Sequence, residues 1–145
     1  MKKILLILLA SIYCFAASNF AEPKPTFENP RKVVYSLYVG DLETVSHTIG
    51  SMYNILKEYP AESLKIVVVA YGKGLKVLKK DYDERTLTRI KSLMEYDVEF
   101  IGCRNTMETM KWTEDDFIEG IDFTQAGIVE VIERQVSGYT GITAY

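Results

Sequence analysis

Residues Leu64–Ala70 read LKIVVVA, an apolar run in which only Lys65 is charged. Consecutive β-branched residues favour an extended backbone, and an unbroken apolar run is typical of a strand that is buried on both faces of a parallel sheet. Gly72 and Gly74 follow in a short polar stretch, which indicates that the strand ends in a turn there. The sequence therefore predicts a central parallel strand.

Strand and helix patterns alternate on both sides of this run. Before it, Lys32–Val39 predicts a strand, and Asp41 caps a helix that Pro60 ends. After it, the pattern predicts a helix capped by Asp83, a strand over Val98–Cys103 and a loop or short helix over Arg104–Lys111. A helical turn with a capping box at Thr113 and Asp116 comes next. The chain then continues with a short strand over Ile121–Phe123, a helix over Thr124–Val136 and a strand over Tyr139–Thr143. Because helices separate the strands, we expect parallel crossovers and a three-layer α/β/α sandwich with a mainly parallel five-stranded sheet.

The last predicted helix carries apolar residues at helical spacing. We expect four of them to face the core: Ile128, Val131, Ile132 and Val136. Glu130 and Arg134 are four residues apart and are predicted to pair on the outer side of the same helix.

The N-terminus has the pattern of a secretory signal. Lys2 and Lys3 precede an apolar stretch, residues 4–17, that is shorter than the about 20 residues a membrane-spanning helix needs. Small residues around Ser18 suit a signal peptidase. We expect residues 1–18 to be removed on export, with cleavage after Ala21 as the alternative, so that no stable membrane span remains and the protein is periplasmic or otherwise exported.

Two further segments follow the predicted signal. Residues 22–30 contain three prolines and no apolar period, and we expect an extended leader there. Residues 31–145 are long enough for one α/β domain with a substantial core.

Charge and cysteine content narrow the class of function. The chain has 145 residues, with 17 basic and 20 acidic side chains and a net charge of -3. This acidic balance argues against a nucleic-acid partner. Removal of residues 1–18 would also remove Cys14 and leave Cys103 as a lone thiol in a compartment where disulfides normally form.

Three predicted strands bring polar residues to one edge of the sheet: Val39–Asp41, Ala70–Gly74 and Gly102–Thr106. Ligands of parallel sheets bind at this edge, outside the carboxyl ends of the strands. The Arg104 cation and the free N–H groups of Asn105 and Thr106 would favour the thiolate of Cys103, which is a good nucleophile and an acceptor for sulfane sulfur. The alternative is a small, buried and inert cysteine.

Other candidate sites are weaker. Gly72 and Gly74 could cradle an anion, but the loop lacks the nucleotide-binding glycine motifs, and a tight turn is the preferred interpretation. His47 is the only histidine and is predicted to point away from the core. Neither a nucleophile–histidine arrangement nor a metal-ligand cluster is visible, so we expect no metal and no cofactor.

Three segments together resemble the DsrE/DsrF-like family: VVVAYGKGLKVL at Val67–Leu78, VEFIGCRNTM at Val98–Met107 and AGIVEVIERQVSGYTGI at Ala126–Ile142. The resemblance implies a three-layer sandwich around a five-stranded parallel sheet, assembled as a homotrimer or homohexamer. Some members relay sulfur as a cysteine persulfide, and Cys103 matches the position of the family's candidate sulfur carrier. Tyr71 stands where members often have histidine.

Two functions are therefore expected. The first is a periplasmic sulfur carrier in which Cys103 accepts sulfane sulfur from a donor protein and passes it to an acceptor, while Arg104 and the backbone near Asn105 and Thr106 stabilise the persulfide. The second is a non-catalytic oligomeric protein that binds a small ligand or serves as a scaffold, with a pocket formed by Gly72, Gly74 and Cys103 at subunit contacts.

Overall fold

A computed structural model describes residues 18–145 and contains one sheet of five parallel strands. Along the chain the strands are β1 (Arg31–Leu37), β2 (Leu64–Ala70), β3 (Glu99–Cys103), β4 (Asp122–Thr124) and β5 (Thr140–Thr143). Their order across the sheet is β4-β3-β2-β1-β5. The apolar β2 lies at the centre, which confirms the predicted sandwich and five-stranded sheet.

Helices connect these strands. They are α1 (Leu42–Glu58), α2 (Glu84–Glu95), α3 (Arg104–Met110) and α4 (Gly127–Val136), with single 3₁₀ segments at Gly72–Leu78 and Glu114–Asp116. The side chain of Asp41 accepts the Thr44 N–H at 2.9 Å, and that of Asp83 accepts the Thr86 N–H at 2.8 Å. Each carboxylate thereby satisfies a backbone donor that the first helical turn leaves free.

The two faces of the sheet are covered unequally. α1, α2 and the Gly72–Leu78 segment pack on one face and form the larger apolar core. The other face carries α4, which crosses β1, β2 and β3. A second, smaller core lies beneath it: Val34, Val67, Val69, Ile101 and Val131.

The orientation of α4 differs from the sequence prediction. Val131 is buried, but Ile128, Ile132 and Val136 have exposed fractions of 52%, 49% and 78%, so the prediction that they face the core was wrong. Apolar residues occupy two adjacent stripes of this helix, and its spacing alone does not decide which stripe meets the sheet. The structure selects the stripe of Gly127 and Val131, because a glycine lets the start of the helix approach the sheet closely.

Residues 18–30 form neither helix nor strand. The Arg31 guanidinium holds this segment by donating to the carbonyls of Ala21 and Pro23, and the ring of Phe20 packs against that of Tyr59 at a centroid distance of 4.7 Å. The predicted signal lies almost wholly outside the described residues. Within residues 18–145, no helix combines the length and apolarity that crossing a bilayer requires.

Candidate functional site

Cys103 is the last residue of β3 and directly precedes α3. Its exposed fraction is 5%, yet it belongs to neither of the two apolar clusters. The sulfur lies at the carboxyl edge of the sheet, on the face that α4 covers, because side chains alternate along β3 and Ile101 points to the same face. The cysteine is therefore shielded from solvent, but its surroundings are not purely aliphatic.

Polar groups surround the sulfur. The backbone N–H of Gly127 donates to the Cys103 Sγ at 3.2 Å, and in the thiol form the Sγ donates to the Gln125 carbonyl across 3.8 Å. Burial raises the pKa of the Cys103 thiol, but the bonded Gly127 N–H and the neighbouring polar groups of Thr106 and Asn105 stabilise negative charge and outweigh burial, so the pKa is lowered. The site thus favours the thiolate, the form in which cysteine acts as a nucleophile.

Asn105 and Gln125 tie two loops together beside the sulfur. The Asn105 N–H donates to the Gln125 carbonyl at 3.0 Å, while the Gln125 side-chain amide donates to Asn105 Oδ1 at 2.6 Å. This double link fastens the chain after β4 to the start of α3. It thereby fixes Gly127, two residues further on, against the Cys103 Sγ.

The structure places the two loop glycines differently. Gly72 has a φ of +52°, and its N–H donates to Thr106 Oγ1 at 3.0 Å. This hydrogen bond connects the loop to α3, the helix that begins directly after Cys103. Gly74 is buried against the end of β1, where a Cβ would lie 2.1 Å from the Leu37 carbonyl oxygen. Gly74 therefore lets two backbone segments pack closely together, which a side chain at this position would prevent.

The Arg104 side chain pairs with the carboxylate of Glu114 and not with the Cys103 sulfur. Its guanidinium forms an ion pair with Glu114 and lies 5.3 Å from the centroid of the Phe123 ring. The positive charge is thus shared with a carboxylate. The groups that lower the Cys103 pKa are the hydrogen-bond donors around the sulfur.

Aromatic and aliphatic side chains border the site. Tyr38 and Tyr71 stack with a centroid distance of 6.4 Å, and Tyr38 is 45% exposed. Beside them, the outer side of α4 presents an apolar surface that consists of Ile128, Val129, Ile132 and Val136. We call these four residues the α4 surface.

Sequence reasoning missed Gly127, Gln125 and the hydroxyl of Thr106 as neighbours of the sulfur. Gln125 and Gly127 lie more than twenty positions after Cys103 and reach it only because β4 pairs with β3. A usable signal was present, since helices that follow neighbouring parallel strands begin at the same edge of a sheet. This rule predicts that the start of α4 lies at the same edge of the sheet as Cys103.

His47 lies on the opposite face of the molecule. It is exposed on α1 and lines an open cavity of about 420 Å³ together with Glu43, Ser46 and Tyr145. Over the described part of the chain, no three His, Cys, Asp or Glu side chains come together in a way that could hold a metal ion.

Comparison with known proteins links this geometry to a family. The sequence profile of the DsrE/DsrF-like family matches residues 41–144, whereas no curated protein matches significantly. A protein of unknown function from Methanobacterium thermoautotrophicum, MTH1491, has a similar structure with a TM-score of 0.72 and 29% identity. The ychN protein from E. coli has a TM-score of 0.64 and 11% identity, which concerns the fold alone. Each match covers 78% of this chain and 98% of the other.

Proposed function

Because this chain belongs to the DsrE/DsrF-like family, we propose that it is an exported sulfur carrier in which Cys103 accepts sulfane sulfur as a persulfide and passes it to a partner protein. One observation carries the proposal. The Cys103 Sγ lies at the carboxyl edge of the sheet and accepts the Gly127 N–H at 3.2 Å, so a charged sulfur is stabilised where ligands of parallel sheets bind.

The proposed reaction exchanges one sulfur–sulfur bond for another. The Cys103 thiolate attacks the terminal sulfur of a donor persulfide, R–S–SH, and the S–S bond of the donor breaks. The donor leaves as its thiolate, and the new S–S bond makes Cys103 a persulfide. An acceptor thiolate then attacks the terminal sulfur, which keeps its proton, and the Cys103 thiolate leaves. No external oxidant or reductant is consumed in either step.

The close approach of Gly127 to the sulfur supports this chemistry. Gly127 has no side chain, and a Cβ there would lie 3.1 Å from the Cβ of Cys103 and 3.0 Å from that of Tyr71. The absence of that methyl group lets the Gly127 backbone come close enough for its N–H to reach the Cys103 sulfur at 3.2 Å. The N–H of Gly127 provides a donor for the negative charge, while Arg104 shares its own charge with Glu114.

Mass spectrometry after treatment with a sulfur donor tests the proposal. The reduced full-length protein is incubated with glutathione persulfide under native conditions and analysed by intact mass and peptide mapping. We expect the mass of one sulfur atom on the peptide that contains Cys103, and no addition there in Cys103→Ser. A folded wild-type protein that gains no sulfur at Cys103 would overturn the proposal.

Export has its own test. The proposed signal comprises residues 1–18, with cleavage after Ser18 or Ala21, and export is supported by Lys2 and Lys3 ahead of an apolar stretch of the right length. Sequencing the N-terminus of the protein recovered from its own cells should find Asn19 or Glu22. Recovery of the intact Met1 terminus would contradict cleavage at either position.

The proposed assembly is a homotrimer or homohexamer. It is supported by the α4 surface, because exposed apolar patches of this kind mark protein contacts. Light scattering coupled to size-exclusion chromatography should give three or six times the subunit mass. A monomer mass across the concentration range would count against it.

A second candidate is a non-catalytic protein of the same fold that binds a small ligand or acts as a scaffold. The 5% exposed fraction of Cys103 favours it, because a shielded thiol reacts slowly. Native alkylation separates the two functions. Iodoacetamide that modifies Cys103 in the folded protein as fast as a free thiol supports the carrier, whereas modification only on unfolding supports the second candidate.

A further inference from the structure

Tyr71 and Cys103 lie side by side at the ends of two neighbouring strands. Ala70 of β2 pairs with Gly102 of β3, so the residues that follow them, Tyr71 and Cys103, are level with each other. Both keep an extended backbone, with φ of −147° at Tyr71 and −91° at Cys103. Neighbouring strands are about 4.8 Å apart, and level side chains project from the same face. Tyr71 accordingly packs against the smaller core beneath α4, on the face that carries the sulfur.

The start of α4 brings the Tyr71 ring next to the group that binds the sulfur. A Cβ built on Gly127 would lie 3.1 Å from the Cβ of Cys103, 3.0 Å from that of Tyr71 and 3.4 Å from Tyr71 Cδ1. The ring therefore lies along the glycine whose N–H donates to the sulfur. On the other side of Cys103, the level residue of β4 is the small Thr124. Tyr71 is thus the large side chain of this row beside the sulfur.

The Tyr71 ring can turn away from the sulfur without any change in the backbone. The Tyr71 N–H donates to the Leu37 carbonyl at 3.1 Å, and the Tyr71 carbonyl accepts the Gly74 N–H at 3.0 Å. The ring itself is held by stacking on Tyr38 and by apolar packing, and rotation about its side-chain bonds leaves both hydrogen bonds intact. The side-chain amide of Gln125, in contrast, is tied by hydrogen bonds to two side chains of α3.

We propose that Tyr71 is a specificity-determining residue whose ring, stacked on Tyr38, covers the Cys103 sulfur and slows the approach of thiols and other small molecules from solvent. The cover accounts for an exposed fraction of 5% at the edge of the sheet where ligands bind. The effect on access stands on the contacts of Tyr71. Its consequence for sulfur transfer rests on the proposed function.

A covered sulfur gives the proposed carrier a choice of acceptor. In the second step of the proposed reaction, an acceptor thiolate attacks the terminal sulfur of the persulfide, and the Cys103 thiolate leaves. A small thiol from solvent can make the same attack, and the rate of this exchange depends on access. The Tyr71 ring therefore lengthens the life of the persulfide in the presence of small thiols. An acceptor protein that displaces the ring on docking is favoured over them.

Tyr139 provides a matched control for the loss of the ring. Tyr71 and Tyr139 are both partly buried, and both pack against the smaller core. Tyr139 directly precedes β5 and so lies at the opposite end of the sheet from Cys103, which ends β3. Tyr139→Ala removes the same side chain from the same core without uncovering the sulfur. Tyr71→Phe is a second control, because it keeps the ring.

The first test is the rate at which iodoacetamide alkylates Cys103 in the folded full-length protein, with peptide mapping to separate Cys103 from Cys14. Rates are compared on the plateau at high pH, where the Cys103 thiol is fully ionised and a difference reports access. An open conformer populated to at most about 10% predicts about tenfold faster alkylation in Tyr71→Ala and Tyr71→Val. Tyr71→Phe and Tyr139→Ala should keep the wild-type rate.

Two results of this test would overturn the cover. One is a folded Tyr71→Ala or Tyr71→Val protein that reacts at the wild-type rate. The other is equal acceleration by Tyr139→Ala, which would assign the effect to loosening of the smaller core.

The second test follows sulfur on Cys103. Wild type and Tyr71→Ala are loaded with glutathione persulfide, freed of reagent and exposed to excess glutathione, and the loss of one sulfur mass is timed. We expect faster loss from Tyr71→Ala, and equal lifetimes would overturn the role in retention. Faster alkylation of Tyr71→Ala in a chain whose Cys103 takes up no sulfur supports the cover but overturns the carrier function.

Discussion

The backbone N–H of Gly127 donates to the Sγ of Cys103 across 3.2 Å, so the first residue of α4 meets the last residue of β3. The contact joins the Cys103 sulfur to the helix whose outer side is the α4 surface. Ile128 and Val129, the next two residues of that helix, are about half exposed. A partner that docks on the α4 surface would therefore lie next to the residues that hold the sulfur.

Gly127→Ala should destabilise the protein. The new methyl group would lie 3.0 Å from the Cβ of Tyr71 and 3.1 Å from that of Cys103, and neither Cβ can move without its backbone. Overpacking of this kind predicts a loss of about 1–3 kcal/mol in the free energy of unfolding, measured by urea denaturation.

Gly50→Ala is the matched control. It places the same methyl group inside α1, where the nearest atom is a guanidinium nitrogen of Arg89 at 3.7 Å. Helix propensity then predicts a gain of up to about 1 kcal/mol. Equal effects of Gly50→Ala and Gly127→Ala would show that crowding at Cys103 is not the cause.

The thiol of Cys103 should make stability depend on pH. The polar groups around the sulfur lower its pKa by more than burial raises it. The folded protein therefore releases the proton at lower pH than the unfolded chain does. The stability contributed by the thiolate is then fully present above the unfolded pKa and is lost as pH falls through the folded pKa. Urea titrations of wild type and Cys103→Ser should diverge in favour of the wild type as pH rises through this window. Parallel curves would contradict the lowered pKa.

Much of the fold follows from local patterns in the sequence. The run Leu64–Ala70 can be buried only between two layers, and the caps at Asp41 and Asp83 mark where α1 and α2 begin. The error in α4 has a physical cause. Ile128, Ile132 and Val136 satisfy helical spacing as well as Val131 does, and which stripe faces the sheet depends on the close approach that Gly127 allows.

The candidate site was less accessible to sequence reasoning. The position of Cys103 at the end of a strand follows from the apolar pattern before it, and the donors at Asn105 and Thr106 follow from the helix that comes next. The contributions of Gln125 and Gly127 depend on pairing between β3 and β4, which is a long-range property of the fold. The partner of Arg104, Glu114, likewise lies outside its own helix.

If the proposed homotrimer or homohexamer forms through the α4 surface, Ile132→Lys should prevent its assembly without unfolding the subunit. The side chain is 49% exposed on the α4 surface, so a lysine there can extend into solvent and costs little in the isolated chain, whereas burying its charge in a subunit contact is costly. We expect light scattering to give a lower mass than for the wild type, with an unchanged circular dichroism spectrum.

Val131→Ala is the control for Ile132→Lys. Val131 is buried against the sheet, and its truncation should lower the free energy of unfolding while the α4 surface remains intact. The mass of Val131→Ala in solution should therefore equal that of the wild type below the denaturation range of the variant. An unchanged mass for Ile132→Lys would place the subunit contact elsewhere.

Gly72→Ala should weaken the link between the loop and Thr106 through backbone strain alone. The φ of +52° is unfavourable for alanine, but the nearest atom to a new Cβ is the Tyr38 carbonyl oxygen at 3.9 Å, so no clash is added. The left-handed conformation predicts a loss of about 1–2 kcal/mol in the free energy of unfolding. Gly72→Asn should lose less, because asparagine adopts this conformation more readily. Urea denaturation should therefore rank the free energy of unfolding in falling order as wild type, Gly72→Asn and Gly72→Ala. Equal losses in Gly72→Ala and Gly72→Asn would show that the left-handed backbone at Gly72 is not the cause.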